Sequence, residues 1–286
     1  MNIGLDAKRY FHNSTGLGNY SRTLVNGMAE IFPEHDFFLF NPKPSVKYRK
    51  PPLPNIHEIQ PEGFPSSMLT SMWRSNLVKK DLARLHVDLY HGLSHEIPVG
   101  IAKTGIPSVV TIHDLIFERY PEQFKKIDVQ IYRRKFKYAC HNANRIIVIS
   151  KQTREDIINL YGIAEDKIDI CYQSCHPAFS NRASEDEKQE ISHQYSLPPR
   201  YFLNVGSIIE RKNLLNICKA IKLLEGKVDV PLVVIGDGKK YKEEVKQYIK
   251  QENLSEKIIF LSEQANVNSK YDLHKPETLS VIYQMS

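Results

Sequence analysis

The sequence predicts an α/β protein built on two doubly wound parallel sheets, the second of them incomplete. Three observations carry that expectation. Short apolar strands alternate with helix-spaced segments from residue 2 to residue 261, which implies crossover connections and parallel pairing. The alternation breaks once, over residues 180–200, where the chain turns polar, loses strand character and ends on Pro198-Pro199. It restarts at Tyr201 and covers three strands and an unfinished fourth unit. The expected organisation is a first domain at 1–179, a linker with a short helix at 180–200, and an incomplete second domain at 201–286.

The elements follow in order. Residues 2–6 form a strand, and Ser14 to Asn19 lead into a helix with Tyr20, Leu24, Met28 and Ile31 on its apolar face. Residues 37–40 form a second strand, stopped by Asn41-Pro42-Lys43-Pro44. In the proline-rich stretch to Pro65, Ile56 and Ile59 mark a short strand; residues 68–85 then read as a helix with Trp73, Leu77 and Leu85 inward. Strands follow at 87–91, 107–113 and 145–150, with a helix at 123–142 before the last. Ser150 is a good N-cap for a helix at 151–161 that Gly162 stops, and a strand at 168–172 closes the series. In the second half come a strand at 201–205, a helix from 213 to about 224 with Leu214, Leu215, Ile217, Cys218 and Ile221 inward, and a strand at 231–235. A helix with Tyr241, Val245, Tyr248 and Ile249 on one face, a strand at 257–261, a loop at 263–276 and a helix from 277 to 285 complete it.

Composition bounds the function. In 286 residues, 41% hydrophobic and 25% charged side chains are enough for a globular core. A net charge of +6 favours nucleotides, phosphates or an anionic membrane surface, and no long Lys/Arg block with interleaved aromatics points to nucleic acid. Cys140, Cys171, Cys175 and Cys218 fit neither a zinc ribbon nor a redox pair, so reduced thiols are expected. No secretory leader opens the chain and no apolar run approaches about 18 residues, so a cytoplasmic location is expected.

In doubly wound sheets ligands gather outside the carboxyl ends of the strands. Those ends carry Asp6, His91, His113 with Asp114, and Ser150, although Ser150 reads better as a helix cap. The stretch YFLNVGSIIERKNLLNICKA, residues 201–220, adds a strand, a Gly206-Ser207 turn, Arg211, Lys212 and a fresh helix start. Cations there oppose the helix dipole, a conflict that an anionic ligand, phosphate above all, resolves. Other chemistries fare worse. His91 and His95 have the spacing of a metal pair, but Gly92 and Pro98 argue against a helix there, and no metal is expected. Glu185-Asp186-Glu187 reads as a solvated helix face, and no GxSxG elbow is present. The basic run Arg133 to Tyr138 fits a solvent-facing helix side, or contact with anionic lipid.

The motifs TGLGNYSRTLV, TIHDLIFERYPE, VISKQTREDI, VGSIIERKNL and VVIGDG, in that order, resemble the GT-B fold glycosyltransferases of family 4, in register from residue 1 to about 261. Within that family the chain is most like bacterial enzymes that build surface polysaccharides, often mannosyltransferases. The resemblance implies two Rossmann-like domains, acceptor on the first and nucleotide-diphosphate sugar on the second. It also implies retaining transfer of a hexose, with no metal or other cofactor. The acceptor it implies is a growing polysaccharide or lipid-linked glycan, with peripheral contact at the inner face of the membrane. Gly16, with Leu17 and Gly18 beside it, matches the glycine loop at the donor phosphate, although a plain helix-start turn accounts for the same residues. His113 matches the histidine that hydrogen-bonds the transferred sugar, with Asp114 orienting its loop; Arg211 and Lys212 match the cations on the diphosphate. Ser207 stands where relatives often carry arginine, and Gly236-Asp237-Gly238 match the loop near the nucleotide. One departure is expected to matter: the pair of glutamates that grips ribose and sugar has no counterpart in residues 262–286. The reading is therefore a glycosyltransferase, and its alternative a truncated, inactive remnant or binding module. An unfinished second domain is also expected to self-associate through exposed apolar faces.

Overall fold

The structure, a computed structural model, describes residues 1–63, 68–264 and 270–286, the side chain of residue 264 excepted. It divides into two compact units, Met1–Ser174 and Cys175–Ser286. Unit 1 runs β1 (Asn2–Asp6), α1 (Lys8–His12), α2 (Gly16–Ile31), β2 (Asp36–Phe40), β3 (Ile56–Ile59), α3 (Thr70–Met72), α4 (Val78–Arg84), β4 (Leu89–Gly92) and β5 (Ser108–Ile112). It continues with α5 (Ile116–Arg119), α6 (Lys126–Asn142), β6 (Arg145–Val148), α7 (Lys151–Tyr161) and β7 (Ile168–Ile170). A π-helical turn at Trp73–Leu77 joins α3 to α4, where the sequence predicts one continuous helix.

The strands pair in parallel in the order β3-β2-β1-β4-β5-β6-β7. The direction of travel reverses between β1 and β4, so the loops leaving them diverge and open a crevice at their carboxyl ends. Leu5, Phe37 and Leu39 pack in one apolar cluster with Val25 and Ala29 of α2; Val110, Ile112, Ile146 and Val148 pack in a larger one with residues of α6 and α7. The buried stripe of α2 is Gly18, Ser21, Val25 and Ala29, not the predicted one: Leu24 and Met28 only flank the core and Ile31 is exposed. Apolar periodicity missed it because two of the four inward positions are a glycine and a serine, which carry no apolar signal.

Unit 2 runs α8 (Glu185–Tyr195), β8 (Phe202–Val205), α9 (Leu214–Leu223), β9 (Leu232–Ile235), α10 (Lys240–Gln251), β10 (Ile258–Phe260), α11 (Leu261–Gln264) and α12 (Pro276–Gln284). Its sheet is parallel, in the order β10-β9-β8. All four residues of β9 are buried, as a strand covered on both faces requires. Leu232 and Val234 pack with α9 and α10, whereas Val233 and Ile235 pack with α8, α11 and α12. Residues 180–200 are not a linker: α8 opens on a reciprocal cap between Ser184 and Glu187, and places Ile191 and Tyr195 in the same core as Val281 and Ile282. The division between the units falls earlier, after Ser174. A helix with only two fully buried apolar side chains and three leading acids looks solvated in sequence, and only its neighbours show it to be a wall of unit 2. Leu261 starts α11 rather than ending a strand, and of the loop expected at 263–276, residues 265–269 lie outside the described residues.

Candidate functional site

In unit 1 the carboxyl ends of β1, β4 and β5 bring Asp6, His91, His95 and His113 to one edge of the sheet. His113 follows β5 and is only 5% exposed. Its Nε2 lies 3.1 Å from the Leu93 carbonyl, an acceptor only, so Nε2 carries the proton and Nδ1 accepts from the Gln173 amide at 3.1 Å. Burial lowers its pKa, against the opposing pull of the Leu93 carbonyl and Asp114, so the ring is neutral at neutral pH. Tyr20 and His95 meet it edge-on, with ring centroids at 4.7 Å and 5.1 Å. His91 Nε2 and the Tyr20 hydroxyl converge on Thr111 Oγ1 at 2.8 Å and 3.1 Å. Burial, with His113 behind it, pushes the His91 pKa down to about 4. His95 stacks on Phe136 at 4.3 Å, and burial holds it neutral too.

Asp114 is exposed and accepts from the Ile116 N–H at 3.2 Å, which closes the turn after β5. Ser150 is a helix cap: its Oγ accepts from the Thr153 N–H at 3.1 Å. Asp6 is held by Arg74, whose Nε and Nη2 donate to its two oxygens at 2.9 Å and 2.5 Å while Nη1 reaches Glu96 at 2.9 Å. Burial alone would raise the Asp6 pKa, but the charge and hydrogen bonds of Arg74 outweigh it and keep the group ionised. Gly16 and Leu17 open α2, whose first N–H groups have no intrahelical partner. A side chain at Gly16 would meet open space, whereas at Gly18 a Cβ would lie 1.9 Å from the Asn13 carbonyl oxygen. Glycine is therefore obligatory at 18 for packing, and at 16 its effect is to leave the helix start bare.

Unit 2 carries the second group. The turns after β8 and β9 touch backbone to backbone: a Cβ on Gly236 would sit 1.9 Å from the Gly206 oxygen, and one on Gly238 would sit 2.2 Å from the Ile208 oxygen. Gly206 and Gly236 also hold φ values of 151° and 153°. Ser207 lies within the first turn, and the Asp237 carboxylate accepts from the Gly238 N–H at 2.8 Å and from Lys242 at 3.1 Å. Those two donors hold the Asp237 pKa below its ordinary value. Arg211 and Lys212 lie on the single helical turn Glu210–Lys212, with both side chains exposed and neither in an ion pair among the described residues. Asn213, at φ 58°, then redirects the chain into α9. One helix-start donor is already taken, because the Leu215 N–H gives to the Tyr241 hydroxyl at 3.0 Å.

Sequence reasoning missed Thr111, Gln173, Arg74 and Tyr241. Only Thr111 leaves a trace, two residues before His113 in the strand expected at 107–113, where alternate residues share a face. Among the described residues no three His, Cys, Asp or Glu side chains gather as a metal site.

Comparison with known proteins bears on both units. A family model described as Glycosyltransferase Family 4 matches residues 14–176, and one described as Glycosyl transferases group 1 matches residues 185–281. The chain is 24% identical over 237 residues to O-antigen chain mannosyltransferase B of Escherichia coli, covering 78% of this chain and 60% of that one. It is 21% identical over 225 residues to an uncharacterized glycosyltransferase of Methanocaldococcus jannaschii, covering 72% and 55%. The chain thus spans somewhat over half the length of these curated relatives. Among solved structures, a glycosyltransferase from Rickettsia africae superposes with a TM-score of 0.63 at 15% identity, covering 100% of this chain and 71% of that one. HepE of Anabaena, in complex with UDP and glucose, superposes with a TM-score of 0.62 at 14% identity, covering 91% and 68%. At such identities the likeness is one of fold.

Proposed function

Because this chain belongs to glycosyltransferase family 4 and has the GT-B fold of two Rossmann-like domains, we propose that it transfers a hexose of the mannose or glucose type from a nucleotide-diphosphate sugar, with retention. The acceptor is a growing surface polysaccharide or a lipid-linked glycan, and transfer takes place in the cytoplasm. Mannosyl transfer by the Escherichia coli relative supports the hexose class, and UDP in HepE supports a nucleotide-sugar donor. No helix among the described residues is long and apolar enough to cross a membrane.

The observation that carries this reading is the pair Arg211 and Lys212, exposed and without counter-ions among the described residues, on the helical turn that follows Gly206-Ser207. As the bond from sugar to diphosphate breaks, charge accumulates on the departing phosphate. Fixed cations stabilise that state more than the ground state, without a metal ion. The bare start of α2 at Gly16 and Leu17 offers backbone donors for phosphate, and the Gly236-Asp237-Gly238 turn lies near the nucleotide. His113 contributes its Nδ1, which accepts a sugar hydroxyl in place of Gln173 while Nε2 stays on the Leu93 carbonyl. A neutral ring suits that task, since an imidazolium has no acceptor to offer.

Calorimetric titration with UDP, GDP and the matching nucleosides tests the assignment. Lys212→Ala weakens both diphosphates by about tenfold and leaves uridine and guanosine unaffected, as loss of one charge-assisted contact requires. Equal loss for nucleoside and diphosphate contradicts the role given to the cation. A transfer assay with UDP- and GDP-hexoses then separates turnover from binding, and diphosphate affinity without turnover would leave a nucleotide-binding module in place of an enzyme.

A further inference from the structure

Apart from the strand-end residues, unit 1 carries a groove of about 390 Å³, within the roughly 300–1,000 Å³ of small-molecule sites. Ile97 and Val99 of the loop after β4 form one wall, and Ile131 and Tyr138 of α6 form the other. Hydrogen bonds to the backbone of residues 99 and 100 fix the loop wall of the groove. The Val99 N–H gives to the Ser75 carbonyl at 2.7 Å, Lys79 Nζ reaches the Val99 carbonyl at 2.6 Å, and the Gly100 N–H gives to the Tyr138 hydroxyl at 2.5 Å. Val99 and Ile131 nevertheless remain 50% and 44% exposed at its mouth. Ile127, one helical turn before Ile131, is 65% exposed and extends the apolar track outward along α6.

Charge at the rim is unbalanced. Glu96 is met twice, by Arg74 at 2.9 Å and by Lys135 at 3.2 Å. Arg134 also lines the groove and makes no ion pair among the described residues. Within the same basic run, Arg133 pairs with Glu118 at 2.6 Å, Phe136 lies in the core, and Lys137 sits over the Tyr161 ring at 5.4 Å. Of the six residues from 133 to 138, only Arg134, Lys135 and Tyr138 therefore face the groove. An apolar channel wants a hydrocarbon chain, and an unmatched guanidinium at its edge wants a phosphate. One molecule satisfies both.

We infer that this groove binds a single anionic lipid, an isoprenyl or acyl phosphate, with the chain between Val99 and Ile131 and the phosphate against Arg134. Its place on unit 1 makes this lipid the carrier of the acceptor; that link rests on the proposed function, whereas the binding does not. Titration of the full chain with farnesyl phosphate below its micelle concentration tests the site, with farnesol, inorganic phosphate, UDP and GDP titrated in parallel. Farnesyl phosphate is expected to bind one to one, and farnesol or inorganic phosphate about tenfold more weakly or not at all. Ile131→Glu and Arg134→Glu are each expected to weaken farnesyl phosphate about tenfold while leaving UDP and GDP affinity unchanged. Both residues are exposed, so both variants should fold; if Ile131→Glu melts early, Arg134→Glu alone gives the reading. Undiminished binding by a folded variant, inorganic phosphate binding as tightly as farnesyl phosphate, or association only with anionic vesicles would each overturn the inference. Loss of UDP and GDP affinity in the unsubstituted chain, with farnesyl phosphate still bound, would strike the proposed function and leave the lipid site standing.

Discussion

Replacing Arg74 with methionine probes how unit 1 holds its crevice. Arg74 and Asp6 side chains are 12% and 2% exposed, and three of the hydrogen bonds that hold β1 to the loop after β4 run through this one guanidinium. Removing it strands a buried carboxylate, which costs about 3–5 kcal/mol. The single tryptophan, Trp73, is fully buried in unit 1, so its emission follows the unfolding of that unit alone. At a urea slope of about 2–3 kcal/mol per molar, the midpoint falls by about 1–2.5 M. The pH dependence fixes the cause. In the unsubstituted chain the Asp6 pKa is depressed, so its stabilisation is complete above the ordinary carboxylate value and is lost as pH falls through the lowered one. In the variant, burial without a partner raises that pKa, so the deficit grows from about pH 4 upward and shrinks in acid. The double variant Asp6→Leu, Arg74→Met should regain most of the loss, because an apolar pair of similar volume leaves no stranded charge. A midpoint change under about 0.3 M, or the same deficit at pH 4.5 and pH 7.5, refutes the reasoning.

Other perturbations give separate checks. Ser150→Ala removes the cap on the Thr153 N–H and should lower the tryptophan-detected stability by about 1 kcal/mol; no change would mean that water serves the helix start as well. Gly236→Ala forces a Cβ to 1.9 Å from the Gly206 oxygen at φ 153°, so unit 2, read as the part of the far-ultraviolet circular dichroism transition that the tryptophan of unit 1 does not follow, should lose at least about 2 kcal/mol together with its nucleotide affinity. Retained stability would show that the two turns can part. The His91 pKa of about 4 lies below its ordinary 6.5, so its stabilisation is full above pH 6.5 and is lost as pH falls toward 4, by about 3 kcal/mol. His91→Phe should remove that share of the acid sensitivity of unit 1, and an unchanged slope would mean that His91 is charged in the fold.

The strand-end residues were legible because a doubly wound sheet gives every strand a carboxyl end and the alternation locates it. Asp6, His91 and His113 follow from that rule, and they do share one edge of a parallel sheet. Their partners were not legible. Arg74 lies 68 residues from Asp6, and Gln173 lies 60 from His113, so no local spacing records either pair. The π-helical turn that presents Arg74 has no pattern of its own, since the same residues read as an ordinary helix. The glycine of the first loop shows how a motif mixes two demands: Gly18 is required by the Asn13 carbonyl, while nothing in the protein itself crowds Gly16.

The basic run from Arg133 to Tyr138 carries the same lesson further. Six consecutive residues wind about one and a half times round a helix, so a sequence window counts four cations as one patch although they face three ways. Arg133 and Lys135 are spent on carboxylates of other elements, and Lys137 is turned toward Tyr161. What survives for a ligand among the described residues is Arg134, and it matters only because Ile97 and Val99 arrive opposite from a loop about thirty-five residues earlier. Charge density in sequence therefore overstates electrostatic attraction at this face and understates its selectivity. A surface of four free cations would hold any anion, whereas one free guanidinium above an apolar channel discriminates by the chain that the anion carries.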